Sequence, residues 1–285
     1  MNTAKSNSKS LTHELGVLLR YWRDIRGKSQ FDLSLDTGGS QRHISFIESG
    51  RSVPSRQILM DIAKALDIPL RDRNTLLLAA GYAPIYSEGA WNAQEMRSVT
   101  AVLERMLRQH EPFPAVVMDR YWNVLMANES TPRFFNSFTK LAVSKSPRNM
   151  LHLMFDPERM RPFIADWENV AKSLFERVYR ESIGRVIDEK TQKLLTALSA
   201  YPDVKTEWKN PKILSATPAL PIIPIGFIKD DVVLNYFSMV TTIGTPQTVA
   251  AQELRIECMY PVDEETEIQH IKILGSLPAT KSNKH

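Results

Sequence analysis

The chain has 285 residues, 43% apolar and 24% charged, with a net charge of +4 and one cysteine. That length exceeds an ordinary single domain, so two are expected; one cysteine excludes a disulfide framework or a cysteine-based zinc cluster within one chain, and no apolar run nears the 18 residues of a membrane span. Residues 1–84 carry 12 Lys and Arg against 8 Asp and Glu while the other 201 carry 24 of each, so the whole excess sits in the first third, as in a small basic module joined to a neutral one.

Residues 1–10 are polar and lack an apolar stretch, which argues against a secretory signal and for a cytoplasmic protein. Five short helices and no strand are expected over residues 11–84. In the first, about 12–26, Leu15, Leu18, Leu19, Trp22 and Ile25 form one apolar stripe, with Arg20, Arg23 and Arg26 off it. Gly27 supplies its stop. The second opens on Ser29 with Asp32 three residues on, the pattern of a capping box. Phe31 and Leu33 are expected to face a core, and Gly38-Gly39 make the turn. Ser40 opens the third helix, where Ile44 and Ile47 point inward and Gln41, Arg42, His43 and Ser45 stay outside; Ser49-Gly50-Arg51 end it. Pro54-Ser55 open a fourth, with Leu59, Ile62, Ala63 and Leu66 inward, and a fifth covers about 72–80.

Two helices joined by a tight Gly turn are a helix-turn-helix, whose second helix enters the major groove of DNA. Gln pairs with adenine and Arg with guanine, so Gln41, Arg42 and Ser45 are suited to base edges. Gln30, in the first turn of the preceding helix, is placed for a phosphate, as are the flanking Arg51 and Arg56. With Ser40 and His43 these form the candidate DNA-binding set. A helical bundle with a solvated polar face fits the periodicity equally; the caps, the Gly turn and the polar first turn favour DNA. Ser29-Gln30, Leu33, the helix over 40–48, Ser49-Gly50-Arg51 and Pro54-Ser55 together resemble the Xre family, the Cro/C1-type helix-turn-helix regulators, over residues 15–70. The resemblance implies an all-α lambda-repressor-like domain with Gln30 near a phosphate and Gln41, Arg42 and Ser45 reading bases. Gly38-Gly39 before Ser40 departs from the small or β-branched residue often found there.

Residues 85–94 read as a polar connection, followed by an amphipathic helix with Val99, Val102, Leu103 and Met106, ending near His110. Residues 115–118 and 121–126 read as a hairpin about Asp119-Arg120, with Trp122, Val124 and Met126 on one face. Helices are expected from about 128–135, within 142–158, over 167–182 and over 188–198. Leu220, Ile222, Ile223 and Ile225 lie in a Pro-broken segment, and 232–239, 241–243 and 254–259 read as strands. Glu264 and Glu265 read as part of a solvated charged run. Cys258, on an alternating strand, reads as a small buried hydrophobe rather than a redox sensor.

Glu111-Pro112-Phe113-Pro114-Ala115, Asp119 to Val124, Ala127-Asn128, the 163–179 region, Gly244-Thr245-Pro246-Gln247, 251–257 and 261–266 resemble the ligand-binding domain of the MmyB-like regulators. Thr248 departs from the acidic residue often found there. Residues 71–84 resemble the family's joint between domains. The resemblance implies an α+β PAS-like domain with a small antiparallel sheet and an apolar, fatty-acid-like ligand. The two domains are placed at residues 11–84 and 95–275, the second binding ligand and dimerising. A pocket of aromatic and flexible apolar walls with a few polar groups makes Trp122, Met126, Asn128, Phe134, Phe135 and Phe237 the candidate ligand residues, Asn128 orienting a polar head. Each aromatic is equally a core residue by type, and Asn128 equally a local cap.

No pair of the six histidines has metal-ligand spacing, and the chain has no phosphate-binding Gly-rich loop and no nucleophile elbow. No catalytic residue, metal or resident cofactor is expected, and nothing supports an enzyme or a self-cleaving repressor. The reading is a sequence-specific transcriptional regulator. It binds a near-palindromic double-stranded operator as a homodimer, responds to a small apolar ligand and has no membrane partner. The alternative is a DNA-binding protein whose second domain serves only dimerisation or protein interaction.

Overall fold

The computed structural model describes residues 2–140, 148–183, 188–205, 208 and 224–274. It forms two units: residues 1–91 with 245–252, and residues 92–244 with 253–285. The expected Pro-broken stretch at Leu220, Ile222 and Ile223 lies outside the described residues.

The first unit is all-α: α1 (Asn2–Ile25), α2 (Gln30–Asp36), α3 (Gln41–Glu48), α4 (Arg56–Ala65) and α5 (Leu70–Ala79). α1 begins ten residues before the expected start. The capping box is present: the Ser29 hydroxyl accepts from the Asp32 N–H and the Asp32 carboxylate accepts from the Ser29 N–H. The core gathers Leu15, Leu19, Trp22, Leu33, Ile47 and Leu59, each at most 2% exposed. Phe31 departs from expectation and is 54% exposed. It stands 200° from Leu33 around a helix turning 100° per residue, so one of them must face solvent. Gly16 lets α1 approach α3, because a Cβ there would sit 2.4 Å from the Glu48 carbonyl oxygen. In the turn only Gly38 takes positive φ, +65°.

Pro69 gives α5 no side-chain cap. The Leu70 N–H instead donates to Gln252 Oε1 at 2.7 Å, and the Val249 N–H donates to the Ser87 carbonyl at 2.9 Å. Buried Asn74 accepts from the Ile85 and Tyr86 N–H groups and donates to Glu88. Residues 70–88 and 245–252 are thus stitched together.

The second unit is α+β. A five-stranded antiparallel sheet has the order β2-β1-β5-β4-β3, from β1 (Ala115–Met118), β2 (Val124–Ala127), β3 (Ile225–Lys229), β4 (Val232–Thr241) and β5 (Arg255–Pro261). Its described helices are α6 (Arg97–Gln109), α7 (Ser130–Phe138), α8 (Met150–Phe155), α9 (Trp167–Ile183), α10 (Glu189–Ser199), α11 (Val249–Glu253, mostly in the first unit) and α12 (Glu264–Leu274). The core packs α7–α10 on one sheet face through Phe134, Phe155, Phe175, Phe227 and Tyr236. Ile225 opens strand β3, and residues expected as a separate strand over 241–243 instead leave the sheet after Thr241. α12 buries His270 and Thr266 while its first-turn Glu264 and Glu265 stay exposed. Cys258 is half-buried.

The expected shared face of Trp122, Val124 and Met126 does not form. A bulge pairs Met126 with Val117 but Val124 with Met118. Val117 and Met118 are consecutive and point to opposite faces, so Val124 and Met126 do too. Trp122 lies before the strand at φ +67°.

Candidate DNA interface and ligand cavity

In the first unit, α3 is set by its caps and by one buried acid. Ser40 Oγ accepts from the His43 N–H at 3.2 Å. Ile44, Ile47 and Glu48 face inward. At 100° per residue Gln41, Ser45, Arg42 and Phe46 fall within an arc of about 140° on the opposite side. Gln41 and Arg42 are exposed, Ser45 and Phe46 partly so. His43 falls at the flank of that arc, beside Ile47, and is partly buried.

Glu48 is the hub. Its side chain is 2% exposed and accepts from Arg23 Nε at 2.7 Å and Arg23 Nη2 at 3.1 Å. The hydrogen bond to Glu48 holds the Arg23 guanidinium above its ordinary pKa. Gln30 Nε2 also donates to Glu48, at 2.9 Å. The side chain expected at a phosphate is therefore fixed against α3, with one amide hydrogen committed and the other left. Arg23 sits off the apolar stripe in sequence but is mostly buried here.

Arg42, Arg51 and Arg56 form no ion pair among the described residues; each lies over a ring. Arg42 and Arg51 sit 5.2 and 5.7 Å from the Phe46 centroid, and Arg56 sits 5.4 Å from that of Tyr82. Arg42 and Arg51 thus bring two exposed guanidiniums, without a carboxylate partner among the described residues, to the outward arc of α3. Phe46 was not among the sequence candidates, since its aromatic type reads as core.

In the second unit a cavity opens on the sheet face that carries Val116, Glu257 and Met259. Its volume is about 590 Å3, the open space at its mouth included. Trp122 and Phe135 line it, with Met150, Met154 and Leu174; Phe237 borders it through its backbone, since its ring stacks on Tyr260 on the sheet face opposite to Tyr236 and Ser238. The other three candidates do not. Met126 is turned away by the bulge. Phe134 is 1% exposed and packs edge-to-face on Phe135, Phe227 and Tyr236. Asn128 is turned to the backbone: its Oδ1 accepts from the Ala115 and Thr131 N–H groups, and its Nδ2 donates to the Phe113 carbonyl.

Trp122 is held in its left-handed conformation from both sides. Asp119 Oδ1 accepts from the Tyr121 and Asn123 N–H groups, and the Trp122 carbonyl accepts from the Met150 N–H. Such a conformation costs about 1–3 kcal/mol and persists where surroundings over-determine it. Arg177 lies 4.3 Å from the Trp122 centroid and donates to both Glu257 oxygens, at 3.3 and 3.2 Å. Glu257 and Ser238 thus put polar atoms into an otherwise apolar wall, and Arg177, bound to Glu257, neutralises the carboxylate. Tyr236, also on the wall, turns its hydroxyl to His270 Nδ1 at 2.6 Å, while His270 Nε2 lies 3.0 Å from the Pro112 carbonyl. A carbonyl only accepts, so Nε2 carries the proton and Nδ1 accepts from Tyr236. Burial lowers the His270 pKa and raises that of Tyr236.

A family model described as the MmyB-like transcription regulator ligand binding domain matches residues 99–270, more than half of the chain. The chain belongs to the MmyB-like transcription regulators. A helix-turn-helix model matches residues 19–72, so this MmyB-like regulator joins a DNA-binding head to a PAS-like, ligand-binding-type domain, an architecture of non-catalytic transcription factors. No curated protein matches it. Among solved structures, the clp gene regulator ClgR from Corynebacterium glutamicum is 24% identical, over 36% of this chain and 95% of that one, with a TM-score of 0.22. An RNA-binding Light-Oxygen-Voltage receptor is 11% identical over 95% of this chain, which spans 64% of that receptor chain, with a TM-score of 0.29. No helix among the described residues is long and apolar enough to cross a membrane.

Proposed function

We propose that this MmyB-like regulator reads a specific, near-palindromic operator as a homodimer, and that an apolar, fatty-acid-like ligand in the second unit modulates the binding. The observation that supports it most is the outward arc of α3, where Gln41, Arg42 and Ser45 face away from the core beside Arg51. In this reading Gln41, Arg42 and Ser45 meet base edges. Ser40, His43, Arg51, Arg56 and the remaining amide hydrogen of Gln30 serve phosphates. One recognition helix reads few base pairs, so two copies on symmetric half-sites are required. The ligand reading rests on the cavity wall: Met150, Met154 and Met259 adapt to an acyl chain, and Ser238 with Glu257, its charge answered by Arg177, offers polar atoms to a head group.

Selection of bound sequences from a random DNA pool tests the first part. A consensus with two symmetric half-sites is expected, and Arg42→Ala relaxes discrimination at one base pair by about 1–3 kcal/mol. Arg51→Ala weakens all DNA binding and lowers the salt slope by about one. Absence of any consensus overturns the reading. Native mass spectrometry of the purified chain, with and without added C12–C18 fatty acids, tests the second. A one-to-one adduct lost on Leu174→Trp supports it, and no adduct with any of them leaves assembly as the domain's role.

A further inference from the structure

The DNA-facing arc of α3 contains an aromatic ring that the helix does not need for its core. Phe46 is partly exposed on the same side as Arg42, while the inward positions are taken by Ile44, Ile47 and Glu48. Its face is occupied by two cations, Arg42 at 5.2 Å and Arg51 at 5.7 Å from the centroid. Its backbone is anchored as well, since the Arg51 and Ser52 N–H groups both donate to the Phe46 carbonyl, at 2.9 and 3.2 Å. A partly exposed ring flanked by two guanidiniums is an apolar group set within a polar arc. The major groove presents one apolar feature to such a group, the C5-methyl of thymine. Arg42 and Phe46 stand four residues apart, about 6 Å along the helix, so one helix face spans both a guanine-type contact and a methyl contact about two base steps away.

We propose that Phe46 is a specificity-determining residue that reads a thymine methyl group, within about two base pairs of the position read by Arg42. The proposal rests on the DNA-reading assignment above. Arg42 then has two roles, a fork toward a base and a lid on the ring that reads its neighbour.

The test uses the full-length protein and the operator obtained from the random pool. Each thymine of a half-site is replaced singly by deoxyuridine, which removes the methyl group and leaves base pairing intact. At one position the wild-type protein is expected to lose about fourfold in affinity, the worth of burying one methyl group. Phe46→Ala and Phe46→Gln, the second keeping side-chain length where the first unfolds, should bind the thymine and deoxyuridine operators equally. Arg51→Ala should keep the thymine preference. The proposal falls if no single replacement changes wild-type affinity by more than twofold, or if the preference survives in a folded Phe46→Ala or Phe46→Gln variant. A pool that yields an operator insensitive to deoxyuridine removes this proposal alone. A pool that yields no consensus removes the DNA-reading assignment with it.

Discussion

Replacing Glu48 by Ala should unfold the DNA-binding unit far more readily than any surface change. The carboxylate is 2% exposed and its partner Arg23 12%. Removal abolishes two charge-assisted hydrogen bonds from Arg23 and one from Gln30. Breaking a buried pair in this way costs about 3–5 kcal/mol, most of it from the charge left behind. Arg23 keeps Asp24 at 2.8 Å and the Lys28 carbonyl at 2.8 Å, so the lower end, about 3 kcal/mol, is expected. Hydrogen exchange of the α1 and α3 amides in the full chain reads this as a more than hundredfold loss of protection, at about 1.4 kcal/mol per tenfold. The double change Arg23→Met with Glu48→Met removes both charges and fills the volume, and should recover most of the loss. An Ala variant with less than tenfold faster exchange, or a double variant no better than the single one, would refute the reasoning.

Gly16→Ala should cost about 1–3 kcal/mol by forcing α1 off α3, since its Cβ would meet the Glu48 carbonyl at 2.4 Å; a melting temperature within a degree of wild type would contradict that approach. The second unit should lose stability as pH falls below about 6.5. Burial lowers the pKa of both His152 and His270 from 6.5. The unfolded chain therefore binds more protons than the folded one below that value, and stability rises with pH there. The groups facing His270 are Tyr236, the Pro112 carbonyl, Arg133 and Glu267. Urea titrations of His270→Gln between pH 5 and 7 should show a shallower slope than the wild type; an unchanged slope would remove His270 as its source.

Much of the first unit was legible in the sequence because helical periodicity is local. Leu15, Leu19 and Trp22, the Ser29 box and the Ser40 cap all follow from neighbours within four residues. Phe31 shows the limit of judging by residue type: its angle from Leu33 already excludes a shared core face. The same angular count carries a signal for Glu48. It lies four residues from Ile44 and only 40° away, on the inner face, where a charge must find a partner. Which arginine answers it was not legible, because Arg23 lies 25 residues earlier on another helix. Phe46 was missed for the reverse reason: it reads as core by type, and only its angle places it with Arg42.

The second unit was legible as a class and less so as a site, and the cause is the sheet. Counting by twos from Trp122 puts Val124 and Met126 on one face, but the bulge opposite Val117 and Met118 ends that count after two residues. The cavity wall is then assembled by pairings that no local pattern contains. Val116 meets Glu257 across β1 and β5, and Ser238 meets Met259 across β4 and β5. Glu257 enters the wall because it alternates with Ile256 and Cys258, a position that on one strand alone looks like a solvated face. Its burial becomes tolerable only through Arg177, 80 residues earlier on α9, which also covers Trp122. The polar part of the cavity is therefore a product of tertiary pairing. For that reason the sequence candidates contained its aromatic walls Trp122 and Phe135 but not Glu257, nor the Arg177 that neutralises it.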